Sequence, residues 1–167
     1  MSVAEHKAHA PASVACFVLT VSDTRTLETE TSGRTIAELL TAAGHTVVDR
    51  HVVRDEPLDV ERAIRDEIAR GRARVIITTG GTGIAKRDST YEAVAAMFEK
   101  RLDGFGELFR MLSFAEIGSA AMLSRATAGI AFGSVIFMLP GSEAAVRLGV
   151  TRLILPELGH IVGELTR

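Results

Sequence analysis

The stretch that decides the fold runs from Arg74 to Asp88 and reads R-V-I-I-T-T-G-G-T-G-I-A-K-R-D. Its first six residues, 74–79, are rich in β-branched side chains and predict a buried strand. Three glycines follow within residues 80–83, and helical periodicity returns from about Ser89 to Phe98. A strand that passes through a glycine-rich loop into a helix is typical of an α/β fold.

The chain on both sides of this stretch alternates between short β-branched runs and longer segments of helical period. Apolar spacing, first-turn prolines and terminal glycines indicate where the helices begin and end. The other predicted strands are Ala15–Val21, Thr46–Val53, Leu123–Ala131 and Ser134–Leu139; the other predicted helices begin at Ser32, Pro57, Gly104 and Pro140-Gly141-Ser142, and a last helix follows an interruption at Pro156. This alternation predicts one layered α/β domain.

Length and composition agree with an ordinary globular protein. The 167 residues, 47% of them apolar, predict a single domain at residues 14–167 behind a flexible tail at residues 1–13. Nineteen basic residues against 21 acidic ones give a net charge of -2, which supplies no electrostatic case for nucleic acid as a partner. The single cysteine, Cys16, excludes a disulfide framework within the chain and any multi-cysteine metal site, so the cytoplasm is the expected compartment.

Membrane insertion is not expected. The longest uncharged stretch, Ala126–Ser142, is interrupted by Gly129, Gly133 and Pro140, whereas a spanning helix needs about 18 apolar residues in a row. Residues 1–13 lack the apolar centre of a signal peptide. We therefore expect no membrane partner.

A ligand site is expected at the carboxyl ends of the strands, where open α/β sheets bind their ligands. Three of these ends carry unusual loops: Ser22-Asp23, Thr79–Asp88 and Leu139–Ser142. Within the second loop, Lys86 and Arg87 either meet the charge of a phosphate or are solvated surface residues.

The second loop has the composition of a phosphate-binding loop. Thr79, Gly80, Gly81, Thr82 and Gly83 combine three glycines with two hydroxyls, so backbone N–H groups can close on an anion and the threonines can donate further hydrogen bonds. The alternative is a tight turn that only requires positive φ. The spacing matches neither a Walker A motif nor the dinucleotide pattern G-x-G-x-x-G, so any nucleotide is held differently.

Two aspartates beside these loops each allow two interpretations. Ser89 and Glu92 fit an S-x-x-E capping box, which would leave the Asp88 carboxylate available to hold Mg²⁺ against phosphate oxygens; alternatively, Asp88 itself caps the helix. Asp55 follows the second strand, and it either sets up the helix start at Pro57 or contributes a second carboxylate at the same edge.

Two further segments are candidates for ligand binding or assembly. Pro140-Gly141-Ser142 leads into a helix whose N-terminus can attract an anion. Ser119 lies between apolar stretches and either lines a pocket or caps a helix end. The helix predicted at Gly104–Phe114 is apolar on two faces, which indicates either a doubly buried core helix or an oligomer interface.

Together these segments resemble one known family. The run Thr78–Ala93, the turn Leu139–Ser142 and the opening Thr20-Val21-Ser22-Asp23 are similar to the MoaB/MogA family of molybdenum cofactor biosynthesis proteins. The run Gly104–Met111 and the segment Leu155–His160 resemble the MoaB branch. The resemblance spans roughly residues 14–165.

The resemblance implies a three-layer α/β/α sandwich with a mostly parallel, Rossmann-like sheet, the molybdopterin-binding fold. It implies Mg²⁺-dependent transfer of AMP from ATP to the terminal phosphate of molybdopterin, with release of pyrophosphate. The family's two functional aspartates, which would also hold the metal, match Asp55 and Asp88. Its phosphate loop matches Gly80–Gly83 with Ser22 and Thr79 beside it, and its pterin-phosphate site includes Pro140, Gly141, Ser142 and Ser119. A homotrimer, or a hexamer built from trimers, is the implied assembly.

Two positions depart from the family's pattern, since Tyr91 and Glu143 stand where many members have proline. Glu143 places a negative charge near a proposed anion site, although a glutamate in the first turn also suits the helix dipole.

A non-catalytic protein that binds or carries molybdopterin is the alternative function. A nicotinamide-dependent reductase is disfavoured because the G-x-G-x-x-G spacing and its acidic ribose partner are missing.

Overall fold

The computed structural model describes residues 2–167 except for the side chain of His6, and it contains a single six-stranded sheet within that range. The strand order is β2-β1-β3-β6-β5-β4. The strands are β1 (Ala15–Val21), β2 (Thr46–Val53), β3 (Val75–Thr79), β4 (Lys100–Arg101), β5 (Thr127–Ala131) and β6 (Ser134–Leu139). The first four strands of that order are parallel, β5 runs antiparallel to β6, and β4 runs antiparallel to β5.

Helices cover both faces of this sheet. They are α1 (Val3–Ala8), α2 (Ser32–Ala42), α3 (Pro57–Arg70), α4 (Thr90–Ala95), α5 (Asp103–Ile117), α6 (Glu143–Gly149) and α7 (Leu155–Leu165). A 3-10 helix at Gly118–Leu123 follows α5, and a π-helical turn at Val150–Ile154 joins α6 to α7. The expected three-layer α/β/α sandwich with a mostly parallel sheet is confirmed.

Two separate cores lie on the two faces of the sheet. Strand residues such as Val18 and Ile77 pack with α2, α5, α6 and α7 on one face. Their neighbours in the strands, such as Leu19 and Ile76, pack with α3 and α4 on the other. The central strands are therefore buried on both sides, which explains why β1 and β3 have continuous apolar runs instead of alternating ones.

Three differences from the sequence prediction have a clear local cause. Strand β5 begins at Thr127 rather than Leu123, because the preceding residues form the 3-10 helix and an irregular link. Strand β4 has only two residues, both exposed and basic, so no apolar alternation marked it. Pro156 does not interrupt the last helix: it lies in the first turn of α7, where the missing N–H costs little.

The segment for which a flexible tail is predicted contains helix α1. Lys7 forms an ion pair with Glu157 of α7, and Gly159 of α7 lies against the backbone of Pro11. Met1 lies outside the described residues, and the domain boundary at residue 13 stays a prediction. Within residues 2–167, no helix combines the length and apolar character that crossing a membrane requires.

The buried thiol of Cys16 provides a test of the packing of β1. Burial raises the pKa of Cys16 to about 12, so we expect no reaction with a thiol reagent at pH 8 until a denaturant is added. Because this pKa exceeds the unfolded value of 9.0, the thiol does not oppose folding below pH 9 and lowers the free energy of unfolding as the pH rises towards 12. In urea titrations, Cys16→Ala should not show this decrease in the free energy of unfolding above pH 9. Rapid labelling of the native protein would contradict the described packing.

Candidate functional site

The parallel arrangement brings the carboxyl ends of β1, β2, β3 and β6 to one edge of the sheet. Backbone hydrogen bonds join the loops there in pairs. Ser22 N–H donates to the Val53 carbonyl (2.9 Å), and Gly80 N–H donates to the Leu139 carbonyl (3.0 Å). The Thr79 hydroxyl also donates to the Pro140 carbonyl (3.1 Å). All three loops singled out in the sequence therefore lie at this edge.

The glycines of the loop after β3 permit close backbone approach. Gly80 and Gly81 have φ values of 90° and 72°, in the left-handed region that glycine tolerates best. A Cβ on Gly80 would lie 2.3 Å from the Val21 carbonyl oxygen, and one on Gly83 would lie 2.3 Å from Oδ2 of Asp88. The turn geometry thus explains why glycine is needed, while leaving open what the loop's amides bind.

The backbone amides in the middle of the glycine loop are unpaired. Within the described chain, the backbone N–H groups of the four consecutive residues 81–84 donate to no protein acceptor, whereas the amides of Gly80 and Ala85 on either side are both satisfied. Gly83 and Ile84 are exposed, and Thr82 is buried. A run of free N–H groups in a glycine loop is suited to binding an anion.

Asp88 is placed by the loop and not by the helix that follows. Its Oδ2 accepts the N–H of Ala85 (2.8 Å), and its own N–H donates to the Ala85 carbonyl (2.9 Å). The expected capping box at Ser89 is wrong: the Ser89 side chain caps no amide of α4 in the described structure, and Glu92 pairs with Arg125 instead. Ser89 still occupies the N-cap position of α4, and Asp88 does not cap the helix; the loop engages its carboxylate through Oδ2 only.

Asp55 also faces the loop and not the helix start. Glu56 occupies the cap position of α3, while Oδ1 of Asp55 accepts the hydroxyl of Thr90 at the start of α4 (2.8 Å). The same oxygen would lie 3.3 Å from a Cβ on Gly81. The loop after β2 thus contributes a carboxylate beside the glycine loop.

Two half-buried carboxylates beside the glycine loop, those of Asp55 and Asp88, each keep one oxygen free. One oxygen of each, Oδ2 of Asp55 and Oδ1 of Asp88, carries no protein hydrogen bond among the described residues. Residues 2–167 contain no group of three or more His, Cys, Asp or Glu side chains placed to hold a metal. Mg²⁺ commonly binds through one or two carboxylates plus substrate phosphates, and this donor set matches that pattern.

Arg87 and Asp23 form an ion pair across the site. A guanidinium nitrogen of Arg87 lies 2.5 Å from Oδ2 of Asp23, and Asp55 and Asp88 also interact electrostatically with this arginine. The Asp55 N–H donates to Oδ1 of Asp23 (2.9 Å), and this hydrogen bond, followed by Arg87, lowers the pKa of Asp23 below its ordinary value. Arg87 is therefore neither an isolated phosphate ligand nor a freely solvated side chain. Lys86 is exposed.

A polar cavity of about 240 Å³ lies on the other side of the same edge. Its lining includes Ser22, Thr79, Gly141 and Ser32, the first residue of α2. The Ser22 hydroxyl accepts the N–H of Arg25 (3.1 Å), which shapes the loop after β1.

The turn Pro140–Ser142 closes this side of the site. Gly141 packs against Gly80, since a Cβ on Gly141 would lie 3.4 Å from the Gly80 Cα. Ser142 caps α6 by accepting the Ala145 N–H (3.2 Å). Arg147 pairs with Glu143 (2.8 Å) and is the largest cause of the lowered pKa of that carboxyl.

Arg125 is the site residue that sequence analysis missed. Its Nε donates to the Thr82 carbonyl (3.1 Å), its Nη2 donates to the Gly83 carbonyl, and its Nη1 pairs with Glu92. The guanidinium also lies over the Tyr91 ring, 4.4 Å from the centroid. It precedes β5 in an unremarkable segment, and only the antiparallel return of β5 brings it to this edge.

Ser119 is not joined to the other candidate residues by any hydrogen bond within the described chain. It is exposed in the 3-10 helix that follows α5. The apolar surface predicted on α5 divides in two: Phe105 and Phe109 are buried, while the opposite side remains exposed. That exposed side continues into the 3-10 helix, and it consists of Leu108, Met111, Phe114, Ile117, Met122 and Leu123.

Comparisons with known proteins agree with this architecture. The family described as probable molybdopterin binding domain matches residues 17–160. Molybdenum cofactor biosynthesis protein B of Bacillus anthracis is 53% identical over 168 residues, covering 100% of this chain and 99% of that protein. A crystal structure of a molybdenum cofactor biosynthesis protein B superposes with a TM-score of 0.91 at 51% identity, covering 95% of this chain and 99% of the other. The tungsten cofactor synthesizing protein MoaB from Pyrococcus furiosus superposes with a TM-score of 0.85 at 39% identity, covering 95% and 100%.

Gly44 and Gly80 have nearly the same φ angle but different surroundings. Substituting each by alanine therefore distinguishes the cost of backbone strain from the cost of a steric clash. Gly44 and Gly80 have φ values of 88° and 90°, but a Cβ on Gly44 would meet no atom within 4 Å. We expect Gly44→Ala to lower the free energy of unfolding by about 1 kcal/mol from backbone strain alone. Gly80→Ala should cost about 1–3 kcal/mol more, because its Cβ collides with the Val21 carbonyl. Urea titrations measure both, and equal losses would contradict the described contact.

Proposed function

Because the chain belongs to the family of molybdopterin-binding proteins of molybdenum cofactor biosynthesis, we propose that it transfers AMP from ATP to the terminal phosphate of molybdopterin and releases pyrophosphate. In this reaction a terminal phosphate oxygen of molybdopterin forms a bond to the α-phosphorus of ATP. The bond from that phosphorus to the bridging oxygen breaks, and its electron pair leaves with pyrophosphate. No protein nucleophile is required.

The observation that carries the proposal is the run of unpaired N–H groups at residues 81–84 beside Asp55 and Asp88. Two polyanions must meet for this reaction, and phosphoryl transfer is accelerated mainly by positioning and by neutralising charge. Backbone amides supply donors for the triphosphate without adding to the chain's net charge. The free carboxylate oxygens of Asp55 and Asp88 would hold Mg²⁺, whose chemistry is to neutralise phosphate charge.

The second substrate is assigned to the other side of the edge. The polar cavity beside Ser22 and Gly141 opens next to the glycine loop, because Gly141 touches Gly80. In the proposal the turn Pro140–Ser142 receives the terminal phosphate of molybdopterin. The Glu143–Arg147 ion pair reduces the repulsion that the glutamate would otherwise exert on that phosphate.

Pyrophosphate release tests the proposed reaction. With ATP, Mg²⁺ and molybdopterin, the protein should release pyrophosphate. Asp88→Asn should slow this release about 100-fold, because it removes a carboxylate that would hold the Mg²⁺ which neutralises the triphosphate. Asp66→Asn on α3, which lines a different cavity, is the matched control and should retain full activity.

Three results would contradict the proposal. Normal turnover by Asp88→Asn at an unchanged unfolding midpoint would remove the assigned role of this aspartate. Binding of molybdopterin by calorimetry without ATP-dependent pyrophosphate release would instead favour the alternative, a carrier protein. Tight NADH binding would revive the disfavoured reductase.

We also propose that the exposed apolar side of α5 and of the 3-10 helix binds further copies of this chain, as a trimer or a hexamer of trimers. Six large apolar side chains lie together there; Met111, Phe114 and Met122 are 59%, 62% and 75% exposed. Contiguous exposed apolar surface of this kind usually marks an interaction site. The alternative, a doubly buried core helix, is incompatible with these exposures in the single chain.

Light scattering at micromolar concentration tests the assembly. The wild-type protein should have a trimeric or hexameric mass, and the double variant Met111→Asp with Phe114→Asp should be monomeric because two charges would be buried in the interface. Leu58→Asp is the control, since Leu58 on α3 is 74% exposed but lies outside this surface. A monomeric wild type, or an unchanged mass of the double variant, would reject the proposal.

A further inference from the structure

We infer that Arg125 is a positioning residue for the proposed phosphate loop: it fixes the carbonyls of Thr82 and Gly83 so that the free N–H groups of Gly83 and Ile84 face the triphosphate. The inference rests on the proposed function for the identity of the ligand. Its structural basis is the set of contacts that Arg125 makes with the loop.

The direction of the amides follows from the direction of the carbonyls. In a trans peptide the C=O of one residue and the N–H of the next point in opposite directions. Arg125 holds the Thr82 and Gly83 carbonyls, so the N–H groups of Gly83 and Ile84 point away from its guanidinium. These two amides belong to the unpaired run. The same contacts that satisfy the carbonyls therefore leave the amides available on the opposite side.

The guanidinium is itself held in place from two sides. Its central carbon lies 4.4 Å from the centroid of the Tyr91 ring, and the Tyr91 hydroxyl in turn accepts a hydrogen bond from Arg101 (3.1 Å). Glu92 pairs with Nη1. The Arg125 side chain is only 23% exposed, so its charged fork is partly shielded from water and its geometry is well determined.

The backbone of Arg125 is also anchored. Arg110 of α5 donates to the carbonyls of Ser124 (3.3 Å) and Ala126 (3.2 Å), on either side of Arg125. Gly106 of α5 allows the chain to approach, since a Cβ there would lie 2.6 Å from the Ala126 carbonyl. Helix α5 thus fixes the backbone of residues 124–126, and the Arg125 side chain joins this fixed backbone to the glycine loop.

A lysine cannot reproduce these contacts. Lysine keeps the positive charge but lacks the planar fork that reaches two carbonyls and a carboxylate at once. Arg125→Lys consequently separates the geometric role from the charge. Arg65→Lys is the matched control, because Arg65 also combines an ion pair, with Glu61, and a cation–π contact, with Phe132, at a place remote from the loop.

The test combines hydrogen exchange with ATP binding and steady-state kinetics. In Arg125→Lys we expect amides 81–84 to exchange about 10-fold faster, the dissociation constant and the KM for ATP to rise about 10-fold, and the KM for molybdopterin to stay within about 2-fold. Arg65→Lys should match the wild type in every measurement. Glu92→Gln, which leaves the carbonyl contacts in place, should show a smaller change in the same direction and keeps the test valid if Arg125→Lys unfolds.

The outcomes separate this inference from the proposed function. Exchange rates and ATP affinity of Arg125→Lys that equal those of Arg65→Lys would overturn the positioning role. A general loss of stability with equal changes in both KM values would also overturn it, because that pattern indicates a merely structural residue. If the wild type binds ATP but releases no pyrophosphate, the transfer reaction fails, while faster exchange and weaker ATP binding in Arg125→Lys would still support the positioning role.

Discussion

The contact between the backbone of Gly80 and the carbonyl of Val21 is the constraint on which the site depends. It exists only because residue 80 has no Cβ, which would lie 2.3 Å from that oxygen. On its other side Gly80 hydrogen-bonds to Leu139 and touches Gly141. Strands β1, β3 and β6 therefore end at one point, and their loops share a single small volume.

This packing also explains how a nearly neutral chain could hold the two anionic substrates of the proposed reaction. The net charge of -2 reflects side chains only. The groups that face the proposed phosphate position are mainly backbone amides, which a count of lysine and arginine does not include. Two arginines at this edge are already paired, Arg87 with Asp23 and Arg125 with Glu92. Such pairs shape the loops, and the fixed amide dipoles provide the attraction without an excess of positive side chains.

Most of the fold follows from local patterns in the sequence, since strands β1 and β2 and helix α3 have boundaries that apolar spacing, Pro57 and Gly71 define. The candidate site was predictable where chemistry is concentrated in a short stretch, as in Gly80–Gly83. Local patterns failed where tertiary contacts decide. Glu92 fits a capping box by spacing, but Arg125, which is 33 residues away, takes its carboxylate. Nothing near Arg125 in the sequence could indicate that partner.

Helix α5 shows how one element serves three neighbours. Its inner side fills the core, where Phe105 contacts Phe137 of β6 with ring centroids 5.1 Å apart. Its outer side carries the exposed apolar residues assigned to assembly, and Arg110 binds the backbone on both sides of Arg125. Residues 118–126 consequently connect the apolar surface to the glycine loop within a few residues. A movement of α5 that broke the Arg110 contacts would release residues 124–126, the segment from which Arg125 reaches the carbonyls of the glycine loop.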